Sequence, residues 1–159
     1  MAAVLDRAGD RLELLQRSTS IAVVGMSSKT SRASHFVATY LLGSTDFDVY
    51  FVNPHETEIM GRRVYASLAD IPVKPDIVDI FRRTDDLPAV TAEAISADAG
   101  AVWFQLGLEH PDAASAAVDA GLDVVQNRCL KVEHARFRGG LHTAGFNTGV
   151  IDSRRTRLI

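Results

Sequence analysis

The fold this sequence predicts is an α/β domain, with a parallel sheet covered by helices on both faces. Three observations predict it. Short β-branched runs recur along the chain, with segments of helical period between them. The first run, "IAVVG", breaks at a glycine into a small, hydroxylated and basic turn, "MSSKTSRAS". The chain has 159 residues, 47% of them hydrophobic and 23% charged, enough for one self-sufficient core. Strands that alternate with helices are joined by crossovers, which makes them parallel.

The elements follow in order. Val4, Ala8, Leu12 and Leu15 share one helical face, so an amphipathic helix leads the chain, weakened by Gly9. "SIAVVG" is a strand buried on both sides. Phe36, Val37, Tyr40 and Leu41 repeat at helical spacing until Gly43 and Ser44. "FDVYFVNP" is the second strand. A polar segment and a helical turn, "SLADIP", lead to "PDIVDIF", the third strand. Leu87, Val90, Ala94 and Ala97 mark the next helix, and "AVWFQLG" is the fourth strand. His110–Pro111–Asp112 opens a helix with proline at its natural first position, and "GLDVV" is the fifth strand. "KVEHARF" reads as one more helical turn or two. The result is a Rossmann-like five-stranded parallel sheet, to which analogy assigns the order 3-2-1-4-5. Residues 1–138 form this single domain, and residues 139–159, glycine-rich and basic, form an arm or tail.

Composition narrows the function. A net charge of −3 argues against a general nucleic-acid binder, so any positive site is local. No apolar run is long enough for a membrane span, and charged residues interrupt the N-terminus where a signal peptide would be apolar. Cys129 is the only cysteine, which excludes an intrachain disulfide and favours a reducing, cytoplasmic setting. The apolar face of the first helix suits either a second copy, as a homodimer, or the chain's own sheet.

Ligands of open parallel sheets sit beyond the carboxyl ends of the strands. Four segments end there: "GMSSKTSRAS", "NPHE", "FRRTDD" and "QLGLEH". The first suits an anion, because helix-start amides and the helix dipole favour negative charge. Ser27, Ser28, Thr30, Ser31 and Ser34 add hydroxyls, and Lys29 and Arg32 add charge. The bland alternative is a solvated loop capped by Ser34. Arg82 and Arg83 follow directly on a strand, where a guanidinium can fork onto phosphate. Pairing with Asp85 and Asp86 is the competing use, expected of one arginine. An NAD site would carry an acid at the end of the second strand. Here that place holds Asn53, Pro54 and His55, with Glu56 only afterwards.

"IAVVGMSSKTSRASHFVATYL", "VNPHETEIMGRRVYASLADIP", "PDIVDIFRR", "WFQLG" and "AGLDVVQNRCLKVE" together resemble the family of small stand-alone Rossmann-like CoA-binding proteins. These are similar to the CoA-binding domain of the succinyl-CoA synthetase alpha subunit. The resemblance spans about Ser20 to Glu133 and implies binding of coenzyme A or an acyl-CoA, without an established reaction. It implies that Gly25, Ser27 and Lys29 line a phosphate turn and that Asn53 and Pro54 border the nucleotide. Phe81 and Arg82 would flank the cofactor, with Gln105 and Gly107 near its pantetheine arm. The sequence departs from the family at Thr30 and Ala33, where prolines are frequent, and at Asn127, where aspartate is. CoA carries a pyrophosphate and a 3′-phosphate, which suits the cationic donors of the first turn.

Catalytic signals are poor. G-x-S-x-G, G-x-x-x-x-G-K-[ST] and H-E-x-x-H are all absent. His35, His55, His110, His134 and His142 show no metal spacing, and most of them read as surface or capping residues, His55 lying nearest the ligand crevice. Asp79, inside the third strand, is a candidate buried charge, expected to be hydrogen-bonded near a helix end rather than to act as a base. The residues after the fifth strand are too few for the second domain of a succinyl-CoA synthetase. A non-catalytic CoA-binding or regulatory module is therefore expected. An NAD(P)-binding oxidoreductase domain and an interaction domain that has lost its ligand are the alternatives. Cys129, flanked by Arg128 and Lys131, is a candidate reactive thiol if those charges lower its pKa, and otherwise a small buried apolar residue.

Overall fold

A computed structural model describes residues 1–138. The arm expected at residues 139–159, including His142, lies outside the described residues. The sheet is built around β1 (Ser20–Val24), all five of whose residues are buried. It continues through β2 (Asp48–Val52), β5 (Ile77–Ile80), β6 (Ala101–Phe104) and β7 (Asp123–Val125), which pair in parallel. Alternate side chains enter two apolar layers. Ala22, Val24, Val78, Ile80, Val102 and Phe104 face one, and Ile21, Val23, Ile77, Ala101 and Trp103 face the other. The first layer is closed by α3 (Leu87–Ser96) and α4 (Pro111–Asp119), the second by α1 (Ala8–Arg17), α2 (Ala33–Ser44) and α5 (Leu130–Phe137). Burial on both faces is why these strands are continuous apolar runs.

The expected strand count and order need correction. The sheet has seven strands in the order β3-β4-β2-β1-β5-β6-β7, not five in the order 3-2-1-4-5. The polar segment after β2 holds a hairpin, β3 (Glu58–Ile59) and β4 (Arg62–Tyr65). Met60 and Gly61 turn it with φ of 54° and 70°, the left-handed pair that suits a two-residue hairpin. β4 then lies parallel to β2 and occupies the outer place expected of "PDIVDIF". That strand, β5, sits beside β1 instead. Counted alone, the six parallel strands run 3-2-1-4-5-6. Their order reverses between β1 and β5, and the ligand crevice of such sheets opens there.

The N-terminus also differs from expectation. Val4 is not helical but bridges Val124 in parallel, with Leu5 N donating to Val124 O at 2.7 Å and Val124 N to Ala3 O at 2.9 Å. The helix begins at Ala8 and buries Leu14 and Leu15 on its own sheet. Its apolar face is thereby used within the chain. Arg11 of α1 is buried against Glu133 of α5 at 3.0 Å and also donates to the carbonyls of Leu5 and Asp6.

Candidate functional site

The site starts from one glycine. Gly25 follows β1 with φ of 83°, a conformation that side chains rarely adopt. A Cβ there would stand 2.3 Å from Phe81 O and 3.2 Å from the Arg82 side chain. The lone glycine thus lets the two strand ends at the switch point close on each other. Phe81 N donates to Val24 O at 2.8 Å across the same junction.

Beyond Gly25 the turn is organised by its own hydroxyls. Ser27 N donates to Ser34 Oγ at 3.1 Å, and Lys29 N donates to Ser27 Oγ at 3.1 Å. Ser34 therefore pins the loop rather than capping α2, whose N-terminus has no side-chain cap. Ser28 N donates to Glu56 Oε2 at 3.1 Å, so a carboxylate of the β2 loop already rests on the turn. Asn53 holds the same two loops together. Its Nδ2 donates to Met26 O at 2.8 Å, and its Oδ1 accepts from His55 N at 2.8 Å.

A crevice of about 450 Å³ opens at the switch point, lined by Gly25, Ser27, Lys29, Arg32, Phe81, Arg82 and Gln105. Seven of the residues singled out in the sequence thus come together. Ser34, offered as a further hydroxyl of the turn, joins them, as do Ala33, Leu106 and Leu108, which were not singled out as lining. Leu106 is among the few large apolar side chains left exposed, and it stood in the quoted "QLGLEH". A smaller cavity of about 220 Å³ on the other side of Arg82 takes Gly25, Pro54 and Ser67. Neither cavity is lined by Ser28, Asn53, His55 or Gly107. Ser28 and Asn53 are engaged within the loops, and His55 is exposed. Gly107, with φ of 88°, is held by a 2.7 Å bond from its N to Asn127 Oδ1. Asn127 itself has a φ of 54°, which asparagine tolerates better than most residues, so this departure from the family pattern has a structural role.

The arginine pair divides only partly as expected. Both approach Asp86, Arg82 at 3.4 Å and Arg83 at 3.8 Å. Arg83 is 90% exposed, whereas Arg82 is 39% exposed and borders both cavities. An exposed pair of this kind is worth little, so Asp86 holds Arg82 only loosely.

Other polar groups are buried or serve as helix caps. Asp79 is fully buried, and neither carboxylate oxygen has a hydrogen-bond partner among the described residues, against the expected helix-end bond. Burial pushes its pKa well above the usual carboxylate range. Gln105 is 6% exposed, with an unpartnered Oε1. Cys129, at the head of α5, is partly buried, and burial raises its thiol pKa rather than lowering it. The charges of Arg128 and Lys131 do not set it. His134 is not a surface residue. It is buried, its Nδ1 lies 2.8 Å from Tyr40 Oη, and desolvation, then Arg138, lowers its pKa. His110 does cap a helix, Nδ1 accepting from Ala113 N at 3.1 Å. Among the described residues no cluster suits a metal ion, and no helix is long and apolar enough to cross a membrane.

Comparison with known proteins agrees with this architecture. An uncharacterized protein of Bacillus subtilis, YneT, is 38% identical over 123 residues, 77% of this chain and 90% of that one. The crystal structure of Prb, a PH1109 protein redesigned for binding, is 40% identical with a TM-score of 0.81, covering 87% of this chain and 96% of that one. A dinucleotide-forming acetyl-coenzyme A synthetase from Ca. Korarchaeum cryptofilum, solved with phosphate and ADP, is 25% identical with a TM-score of 0.65. That match covers 73% of this chain but 27% of the synthetase. The profile of the CoA binding domain matches residues 19–135, and the chain belongs to that family.

Proposed function

We propose that this chain binds coenzyme A or an acyl-CoA through its nucleotide phosphates, as a non-catalytic binding or regulatory module. The observation that carries the reading is the crevice between β1 and β5, where Lys29, Arg32 and Arg82 border the uncapped start of α2. Helix-start amides and guanidinium groups are phosphate donors by chemistry, and three cations suit a ligand with several phosphates. The residues fit the group in two further respects. Gly25 leaves backbone bare where a Cβ would close the junction, and the Gln105 side chain contributes to the crevice wall. Leu106 and Leu108 give that wall an apolar rim, suited to the less polar arm of the ligand. Glu56, the acid nearest to a ribose-binding position, is turned onto Ser28 N, so nothing favours the NAD alternative.

Calorimetric titration with CoA, dephospho-CoA and NAD tests the reading, with that order of affinity expected. Charge-assisted hydrogen bonds contribute about 1.5–3 kcal/mol each, so Lys29→Ala and Arg82→Ala should each weaken CoA binding roughly ten- to a hundredfold. Lys74→Ala, paired with Asp98 before β5 and so at the opposite end of that strand, should change nothing. Tighter binding of NAD would transfer the site to an oxidoreductase. No nucleotide binding by folded protein would leave an interaction domain.

A further inference from the structure

A second cavity, of about 370 Å³, lies at the opposite end of the sheet from the crevice and shares no residue with it. Its wall includes the segments that lead into β1 and β2, Ser18–Thr19 and Thr45–Phe47. Three helices end here. The residues that close them, Ser18 after α1, Thr45 after α2 and Arg138 after α5, all line the cavity. The last four carbonyls of a helix have no partner within it, and they carry roughly half a negative charge. Ser18 Oγ donates to Leu14 O at 2.7 Å, and Thr45 Oγ1 donates to Leu41 O. No other side chain donates to either of those last turns among the described residues. Cations normally answer such helix ends, yet two of the three lack one. α2 has no basic residue in its last turn. α1 has Arg17, which turns to Asp123 instead. Only α5 meets a cation at the cavity, in Arg138. Beside the end of α2, Asp46 adds a carboxylate that forms no ion pair among the described residues.

The rest of the wall suits an amphiphile. Leu12, Leu15, Phe47 and Phe137 are apolar, and aromatic rings attract cations to their faces. His134 lines the same space at 7% exposure. Its Nδ1 is taken by Tyr40 Oη, while its Nε2 has no partner among the described residues. Burial, then the charge of Arg138, lowers its pKa, so the imidazole stays neutral and does not repel a cation. We propose that this cavity is a second binding site, for a small amphiphilic amine. Its primary ammonium would lie against Asp46 and the ends of α1 and α2, and its apolar or aromatic body among Leu12, Leu15, Phe47 and Phe137. The volume suits one such molecule, since small-ligand pockets begin at about 300 Å³. A carboxylate on the same body is disfavoured, because Asp46 and the helix-end carbonyls repel it. The site depends neither on the crevice nor on coenzyme A, and the length of the strands separates the two.

The probes are 2-phenylethylammonium and 3-phenylpropanoate, which carry the same ring with opposite charge. Each is titrated into the full chain by nuclear magnetic resonance, with the His134 imidazole as reporter. The ammonium should shift the His134 signals and bind at least about tenfold more tightly than the carboxylate. Asp46→Asn should weaken the ammonium by roughly threefold, the worth of an exposed charge interaction, and leave a titration with CoA unchanged. Saturating CoA should not displace the ammonium. Carboxylate binding as tight as that of the ammonium would overturn the proposal, as would failure of both probes to bind. Ammonium binding that leaves His134 unmoved, that ignores Asp46→Asn in a folded variant, or that CoA competes away would place the probe elsewhere and overturn it equally.

Discussion

Single residues set the character of the site, and two of them carry predictions. Glu56 places a carboxylate on Ser28 N and within 3.4 Å of Asn53 Nδ2, at the rim of a crevice proposed to hold phosphates. Glu56→Gln keeps an acceptor there but removes the like charge. CoA affinity should rise by about threefold, the worth of a half-exposed charge interaction, read by calorimetry at low salt and fading as salt is added. Asp79 carries the opposite lesson. Its folded-state pKa lies above its unfolded value, so the native state binds the extra proton. Its stabilising share is fully present below the ordinary carboxylate pKa and is lost as pH rises towards the folded-state value. Asp79→Asn cannot ionise. Urea unfolding should show the variant gaining on wild type as pH rises from acid to neutral, and parallel curves would refute this. The residue scale was legible where chemistry and position coincide. Gly25, Phe81 and Gln105 follow strand ends directly, Ser27, Lys29, Arg32 and Arg82 stand in the turns beyond, and the crevice gathers them. Asn53 and Ser28 bear the same polar atoms but spend them on neighbouring loops, a pairing that depends on where Glu56 and Met26 fold.

Elements were legible in proportion to their burial. β1, β5 and β6 are buried at every position and read as apolar runs. β3 and β4 bury only Ile59 and Val64, and their turn is Met60–Gly61 rather than the asparagine–glycine pair that announces such hairpins. That one missed hairpin shifted the place of β5, because strand order depends on which segment fills the outer position. Pairing between distant helices was equally hidden. Arg11 is a charged residue of the leading helix, yet it is buried against Glu133, which also receives Arg136 at 3.5 Å. Removing one member of a buried pair strands the other charge, so Glu133→Ala should cost about 3–5 kcal/mol by urea unfolding. Replacing both partners with apolar residues of similar volume should recover most of that loss. A double variant no better than Glu133→Ala would mean that the pair serves through its hydrogen bonds to Leu5 and Asp6 instead.

At the scale of the whole molecule, one switch point organises the proposed CoA site. Strand order reverses between β1 and β5, and the crevice opens there, with Gln105 at the end of β6 on its wall. The two flanks of the sheet are finished differently. On one, the short antiparallel β3 ends the pairing, with Arg62 and Arg63 exposed on β4. On the other, residues Ala3 to Leu5 lie along β7, and Ala3 N also donates to Asp123 Oδ1 at 3.0 Å. This short stretch of chain is therefore a cover for donors and acceptors that would otherwise recruit a strand from another molecule. Deleting residues 1–5 should leave the crevice and its CoA affinity nearly unchanged but make the protein sticky. Light scattering should show concentration-dependent growth of oligomers in the truncated chain, and a monodisperse truncated chain would show that β7 needs no cover. The colloidal behaviour of the domain, as opposed to its fold or its ligand, would then rest on its first five residues.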